Sequence, residues 1–188
     1  MGILLENFSW IILNVSLAVL AVVFGFLFLK STGFLPRLIF FFLWFLFIPN
    51  TIYLVTDAQY FPNQFLQLDF FNRILLIVQY LLVVAVGVVT FLVGLLPLEK
   101  LLSYLKVKDK LIKNAAIAVM SYLIAFAVAL GKIQRVSSWH VVTDPKFTIS
   151  GSLATFYSSE MMNFVLLFGT FSSILYFTCR KFFPARLY

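Results

Sequence analysis

Three polar side chains interrupt an apolar stretch of the chain around residue 50, and their types suit ligand binding. The segment FIPNTIYLVTD places an amide at Asn50, a phenol at Tyr53 and a carboxylate at Asp57. In a helix these positions, i, i+3 and i+7, lie on one face. Ionisable groups inside membrane segments often mark substrate, ion or proton sites. Asp57 also has a structural interpretation, as a carboxylate at the water boundary that pairs with Lys132 or Arg135.

A second polar cluster lies in the segment KIQRVSSWHVVTDP and comprises Arg135, Ser137, Ser138, Trp139 and His140, of which all but Ser137 are candidate binding residues. A guanidinium can bind phosphate or carboxylate through two parallel hydrogen bonds, whereas Trp139 suits an anchor at the membrane interface. The single histidine is a weak metal signal, because metal sites usually combine several ligands. A metal site with Asp57 and Asp144 is the less favoured alternative, so neither metal nor cofactor is expected. No catalytic residue is assigned, since no nucleophile elbow or Gly-rich phosphate loop is present.

The elements that position these residues follow from composition: 63% of the 188 residues are hydrophobic and 11% are charged. A soluble domain carries far more charge than this, and about 20 apolar residues cross a bilayer as a helix. Transmembrane β-barrels are disfavoured because the apolar runs are continuous. We therefore expect an all-α, polytopic membrane bundle of about five transmembrane helices, forming one domain over residues 1–188. The expected spans are 7–29, 36–56, 74–97, 113–131 and 160–179.

The distribution of basic residues predicts an N-terminus outside and a C-terminus inside. In that orientation ten of the 14 Lys and Arg residues face the cytoplasm: Lys30, Arg37, Lys100, Lys106, Lys108, Lys110, Lys113, Arg180, Lys181 and Arg186. This asymmetry matches the positive-inside rule. The same residues are expected to contact anionic lipid at the cytoplasmic face. The net charge of +7 is then explained by the lipid bilayer, and no nucleic-acid partner is expected.

Small and kink-forming residues predict how the spans are shaped and packed. Pro49 predicts a kink or break, because it cannot donate to the carbonyl of Phe45. In lipid that carbonyl needs another partner, and Asn50 or Thr51 is close enough to help. Close helix approach is predicted at small residues, which are Gly87, Gly94 and the stripe Ser121, Ala125 and Ala129.

Both outer connections are expected to be ordered. Helical spacing of Phe61, Phe65 and Leu68 predicts a short amphipathic helix in the interface. The connection 132–159 is too long to be structureless in so small a domain, and its DPK and SGS segments are turn-prone. Glu160 is expected in the first turn of the last span, where its charge complements the helix dipole.

The two polar segments together resemble the bacterial membrane proteins of domain-of-unknown-function family 1361. That family shows L-P-N-A-P-Y-x-x-T-D at the end of one span and G-R-x-x-R-x-N-S-W-D after the fourth. The matching residues here are Pro49, Asn50, Tyr53, Thr56, Asp57, Gly131, Arg135, Ser138 and Trp139. The resemblance implies a fold and a multi-pass location in the bacterial cytoplasmic membrane, without an activity.

The chain also departs from the family pattern. Lys132 replaces an arginine, Ser137 an asparagine and His140 an aspartate, while Tyr60 stands where the family often has a histidine. A His/Asp combination has thus become Tyr/His, which fits direct contact between the two outer segments. The change weakens any fixed metal or acid–base scheme at these positions.

These observations favour a small integral-membrane binding or accessory subunit with a polar pocket at the extracytoplasmic face. The pocket is expected to combine the end of the second span with the loop after the fourth, in a transport or envelope-assembly complex that supplies a membrane-protein partner. One alternative is an enzyme acting on a lipid headgroup or lipid-linked substrate, with Asp57 or His140 as acid–base and Arg135 holding phosphate. Another is a self-sufficient transporter, although no inverted repeat or midplane charge is evident.

Overall fold

The computed structural model describes residues 2–182, and within that range the regular structure is helical. Its nine α-helices are α1 Gly2–Lys30, α2 Phe34–Phe47, α3 Pro49–Thr56, α4 Phe61–Leu66, α5 Phe70–Tyr104, α6 Lys110–Lys132, α7 His140–Thr143, α8 Pro145–Tyr157 and α9 Ser159–Cys179. Short 3-10 segments, Asp57–Tyr60 and Arg180–Phe182, follow α3 and α9. Arg186 of the expected basic tail lies outside the described residues.

Five helical stretches are long and apolar enough to cross a membrane. They are Leu4–Lys30, Phe34–Leu66, Phe70–Tyr104, Lys110–Lys132 and Ser159–Cys179. This confirms the predicted all-α class with five membrane-length helices. The protein is therefore a multi-pass helical membrane protein.

The chain forms two compact units, and the division between them lies within α5. Unit 1 ends at Gly94 and unit 2 begins at Leu95. In unit 1, α1 packs against α2 and α3. Ala18, Leu54 and Val83 are buried together there. This packing places α3, and with it one of the two polar segments, against α1.

The helix is interrupted just before Pro49 without the backbone leaving the helical region. Ile48 keeps helical angles, φ −57° and ψ −31°, while separating α2 from α3. The Asn50 amide donates to the carbonyl of Phe47 over 3.0 Å, and the Thr51 hydroxyl donates to that of Ile48 over 2.7 Å. The predicted interruption is confirmed. These two side-chain bonds reach the carbonyls of Phe47 and Ile48, each three residues before the donor; a partner for the Phe45 carbonyl stays a prediction.

At Gly87, α5 approaches α3 closely. A Cβ added there would lie 2.9 Å from Leu54 Cβ and 3.2 Å from the Thr51 carbonyl oxygen. A Cβ added at Gly94 would lie 3.6 Å from the nearest side-chain atom, which belongs to Thr51. The prediction of close packing is confirmed at Gly87, while the contact at Gly94 is an ordinary one.

In unit 2 the small-residue stripe of α6 is buried and its two alanines face another helix, α9, which confirms the predicted helix contact. Ser121, Ala125 and Ala129 are each 0% exposed, and the two alanines pack with Val165 of α9. The α9 helix begins after Ser158, whose hydroxyl accepts from the Met161 amide, and it carries Glu160 in its first turn. The predicted position of Glu160 is therefore confirmed.

The long connection between α6 and α9 is folded, as expected. The Asp144 carboxylate caps α8 by accepting from the Phe147 amide over 3.0 Å, so the chain turns at DPK. The predicted turn at SGS is wrong, because these residues lie inside α8. Gly151 lies inside α8 and packs closely against Val136. A Cβ added at Gly151 would be only 2.9 Å from the Val136 side chain.

The amphipathic helix predicted after the second span is α4, and protein covers its apolar side. Phe61, Phe65 and Leu68 pack with Leu76 and Tyr80 of α5. The same geometry turns Gln64, which lies on this short helix, towards α1. The helix thus closes one side of a cavity in unit 1.

Candidate functional site

A polar cavity of about 430 Å³ lies in unit 1, between the N-terminal part of α1, the end of α3 and α4. It is lined by Glu6, Asn7, Trp10, Asn14, Tyr53, Asp57, Tyr60 and Gln64. The lining combines two carboxylates, three amides and three aromatic side chains. Such groups donate and accept hydrogen bonds and offer ring faces for stacking, so the cavity is suited to a polar ligand.

Asp57 is the buried carboxylate of this cavity, with 3% of its surface exposed. Its Oδ2 accepts a hydrogen bond from the Asn14 amide nitrogen over 3.2 Å. A 3-10 segment begins at Asp57, directly after α3. Burial of a carboxylate is costly unless other groups solvate it, so Asn14 has a direct part in holding Asp57 in place.

An amide pair fixes the other wall of the cavity. Asn7 and Gln64 donate to one another's side-chain oxygens, and both distances are 2.9 Å. The indole of Trp10 donates to the Asn7 oxygen over 3.0 Å, and the Tyr80 hydroxyl donates to the Gln64 oxygen over 3.1 Å. Buried networks with satisfied members are rigid. The wall is therefore preorganised, and Asn7 itself is only 2% exposed.

Two of the three residues predicted on the second span share this cavity. Tyr53 and Asp57 both line it, whereas the Asn50 amide donates to the Phe47 carbonyl at the interruption between α2 and α3. Asn50 therefore shapes the helix that carries the other two.

The second predicted cluster belongs to unit 2, between α6 and α8. Arg135 is exposed and has φ 57°, a left-handed backbone that favours glycine. At that turn the Val136 amide donates to the Leu130 carbonyl over 3.1 Å, which closes the end of α6. A long cationic side chain thus occupies a helix-terminating position where glycine costs least. The proposal that the two clusters form one pocket stays a prediction.

His140 is held by local contacts at the start of α7. Its Nδ1 accepts from the Ser137 backbone amide over 3.0 Å, and its ring meets Phe147 edge-on with 5.3 Å between centroids. Trp139 is 49% exposed, and Ser138 is half-buried beside it. Nδ1 therefore acts as an acceptor within the turn, which leaves Nε2 as the ring's N–H donor.

Metal ligation was the less favoured prediction for Asp57, Asp144 and His140. Within residues 2–182 no group of three or more His, Cys, Asp or Glu side chains is placed to hold a metal ion. The Asp144 carboxylate is used as the cap of α8, and His140 Nδ1 is used in its own turn. The prediction that a metal is absent stays a prediction.

Comparison with known families decides the relationship suggested by the two polar segments. The family model described as protein of unknown function (DUF1361) matches residues 13–175, most of the chain. The chain belongs to the DUF1361 family. No curated protein and no solved structure matches it.

The DUF1361 match covers both polar segments and five of the eight residues that line the cavity in unit 1. Glu6, Asn7 and Trp10 precede the matched range. Of the cavity residues, sequence reasoning assigned only Tyr53 and Asp57 to the site. A signal for three of the other six was present, because Asn7, Trp10 and Asn14 are spaced i, i+3 and i+7 on one face of α1.

Proposed function

We propose that this DUF1361 protein is a binding or accessory subunit that holds a polar ligand in the unit 1 cavity. The ligand is a small molecule or headgroup that bears hydroxyl or amine donors. The observation that carries the proposal is the buried Asp57 carboxylate, bonded by Asn14 and lining a cavity of about 430 Å³. A buried acceptor of this kind increases the affinity for a ligand that donates a hydrogen bond to it.

The preorganised wall supports recognition of one ligand geometry. Asn7, Gln64 and Trp10 hold one another through their side chains, so little conformational entropy is lost when a ligand enters. The tyrosines at positions 53 and 60 add hydroxyl groups and ring surface to the lining. These features favour a stable binding site over a surface that rearranges with each partner.

The distribution of basic residues supports an extracytoplasmic location for this cavity. If ten of the 14 Lys and Arg residues are cytoplasmic, the start of α1 and the end of α3 lie at the outer face. A ligand would then be taken from the outer side of a bacterial cytoplasmic membrane. A partner in a transport or envelope-assembly complex would receive or present it.

Native mass spectrometry of the protein in discs of its own membrane tests the proposal. We expect a polar molecule or a protein partner retained in a fixed ratio to the chain. Asp57→Asn and Tyr53→Phe should lose a retained small molecule, because each removes one acceptor or hydroxyl from the cavity while keeping the side-chain shape.

Asp69→Asn is the matched control, since Asp69 accepts from the Asn72 amide ahead of α5 and asparagine caps as well as aspartate. Equal retention in all three variants would place the ligand elsewhere. Conversion of a lipid or lipid-linked molecule by the purified chain would replace the binding function with an enzymatic one.

A further inference from the structure

A second cavity, of about 440 Å³, lies in unit 2 where three helices end. Its lining comprises Glu99, Lys100, Ser103, Tyr104, Lys113 and Arg180. None of these residues belongs to either polar segment of the proposed function. The cavity therefore requires a separate explanation.

The lining residues lie at the boundaries of the expected membrane spans. Glu99 follows the span 74–97 by two residues, Lys113 begins the span 113–131, and Arg180 comes directly after the span 160–179. Lipid phosphates occupy the layer where the hydrocarbon core ends. With these expected spans, the cavity is placed at the depth of a phospholipid headgroup.

The cavity is positively charged even after its internal ion pair is counted. Arg180 Nη2 lies 2.9 Å from Glu99 Oε1, and Glu99 is 7% exposed. Three basic side chains and one carboxylate leave a formal charge of +2 on the lining. Glu99 is the positioning residue that holds the Arg180 side chain at this place.

Two hydrogen-bond donors of this cavity lie close enough together to bind oxygens of one phosphate group. The Lys113 ammonium donates to the Ser103 hydroxyl over 3.1 Å, so the cation and the hydroxyl occupy the same wall. Charged hydrogen bonds to phosphate oxygens are among the stronger ones in proteins. Tyr104 is 71% exposed beside them, where its ring can contact the glycerol and upper acyl region of a lipid.

We propose that this cavity binds a phosphate group through Lys100, Lys113 and Arg180, with Ser103 as a further donor. An anionic phospholipid headgroup and free inorganic phosphate share that chemistry. The position at the span ends favours the lipid. The inference is independent of the ligand proposed for unit 1.

Lipid retention in nanodiscs tests the proposal. Wild-type protein is reconstituted with equal amounts of phosphatidylglycerol and phosphatidylcholine, and retained lipids are counted by native mass spectrometry. We expect selective retention of phosphatidylglycerol, reduced roughly tenfold or more in Lys100→Gln/Lys113→Gln because two charged hydrogen bonds are lost. Lys108→Gln, an exposed lysine of the same connection outside the cavity, should behave as wild type.

A second experiment distinguishes a lipid phosphate from free phosphate and checks that the variants are folded. Thermal unfolding in phosphatidylcholine discs is measured with and without inorganic phosphate for wild type, the double variant and Ser103→Ala. Stabilisation of wild type alone by phosphate, without selective lipid retention, would assign the site to free phosphate. Equal lipid retention in the double variant and Lys108→Gln, together with no phosphate effect on wild type, would overturn the proposal.

Discussion

The side-chain amide of Asn14 donates to the carboxylate of Asp57 over 3.2 Å, and this bond joins α1 to the end of α3. The two residues are 43 positions apart in the chain. Asn14 lies inside an apolar helix and Asp57 is buried, so little water is available to either side chain. The amide supplies a hydrogen-bond donor to the carboxylate, and the carboxylate supplies an acceptor to the amide. The relationship ties the fold of unit 1 to the groups that line its cavity.

Asn14→Ala should destabilise the protein, because it removes a donor from a buried carboxylate. We expect a loss of about 1 kcal/mol in the free energy of unfolding, measured by denaturant titration in mixed micelles. Asn63→Ala is the control, since Asn63 is exposed on α4 and its loss should change little. Equal losses in the two variants would show that the bond to Asp57 adds no stability.

Gly87→Ala should be more harmful than Gly94→Ala. A methyl group at Gly87 would meet Leu54 Cβ at 2.9 Å and the Thr51 carbonyl oxygen at 3.2 Å, so α3 and α5 must separate. Overpacking of this kind costs about 1–3 kcal/mol. At Gly94 the nearest atom is 3.6 Å away, and alanine there should be neutral or slightly stabilising. The same titration compares the two variants, and a reversed order would contradict the close packing at Gly87.

Lys106→Gly should stabilise the protein. Lys106 has φ 56°, and the bonds from the amides of Lys106 and Val107 to the carbonyls of Ser103 and Leu102 form a helix-ending Schellman motif. Glycine removes the left-handed strain of lysine, about 1 kcal/mol. Lys108→Gly has no such strain to relieve and should be slightly destabilising. Melting temperatures of both variants provide the measurement, and a gain in Lys108→Gly alone would be inconsistent with the motif.

Arg135→Gly separates the cost of the backbone at this turn from the contribution of the side chain. Because Arg135 has φ 57°, glycine should raise the free energy of unfolding by about 1 kcal/mol. If the guanidinium contacts a partner or phosphate, the same variant should lose co-purifying material. Arg135→Lys retains the strain and the charge, so it identifies losses that arise from the bidentate geometry of arginine. Unchanged co-purification in Arg135→Gly would leave the side chain without a binding role.

The orientation can be measured by cysteine labelling in a Cys179→Ser background. We expect Lys146→Cys to react with a membrane-impermeant thiol reagent in intact cells, because it lies in the expected outer connection. Lys108→Cys should react only after permeabilisation. Reaction of Lys108→Cys in intact cells would invert the assignment and place the unit 1 cavity on the cytoplasmic side.

Local chemistry was sufficient to predict several parts of this fold. The interruption at Pro49 follows from a missing donor, and the buried stripe of Ser121, Ala125 and Ala129 follows from the need for close packing in lipid. The pairing of Asn7 with Gln64 was not predicted, because it depends on how α4 folds back on α1 across 57 residues of chain.

At the SGS segment, local residue preferences predict the wrong structure. The local preferences of glycine and serine predict a turn, yet Ser150 and Ser152 donate their hydroxyls to carbonyls of α8 itself, at Phe147 and Thr148. The contact of Gly151 with Val136 gives the glycine a packing role. Tertiary contacts of this kind outweigh a local propensity of about 1 kcal/mol.

The interruption of the helix at Pro49 has a consequence for how the protein enters its membrane. The carbonyls of Phe47 and Ile48 receive their side-chain bonds from Asn50 and Thr51, within the same five residues. These bonds require no neighbouring helix, so the segment can leave the insertion machinery already interrupted and with the Phe47 and Ile48 carbonyls hydrogen-bonded. The shape of α2 and α3 would then exist before α1 and α5 assemble around it, and would guide that assembly as a template.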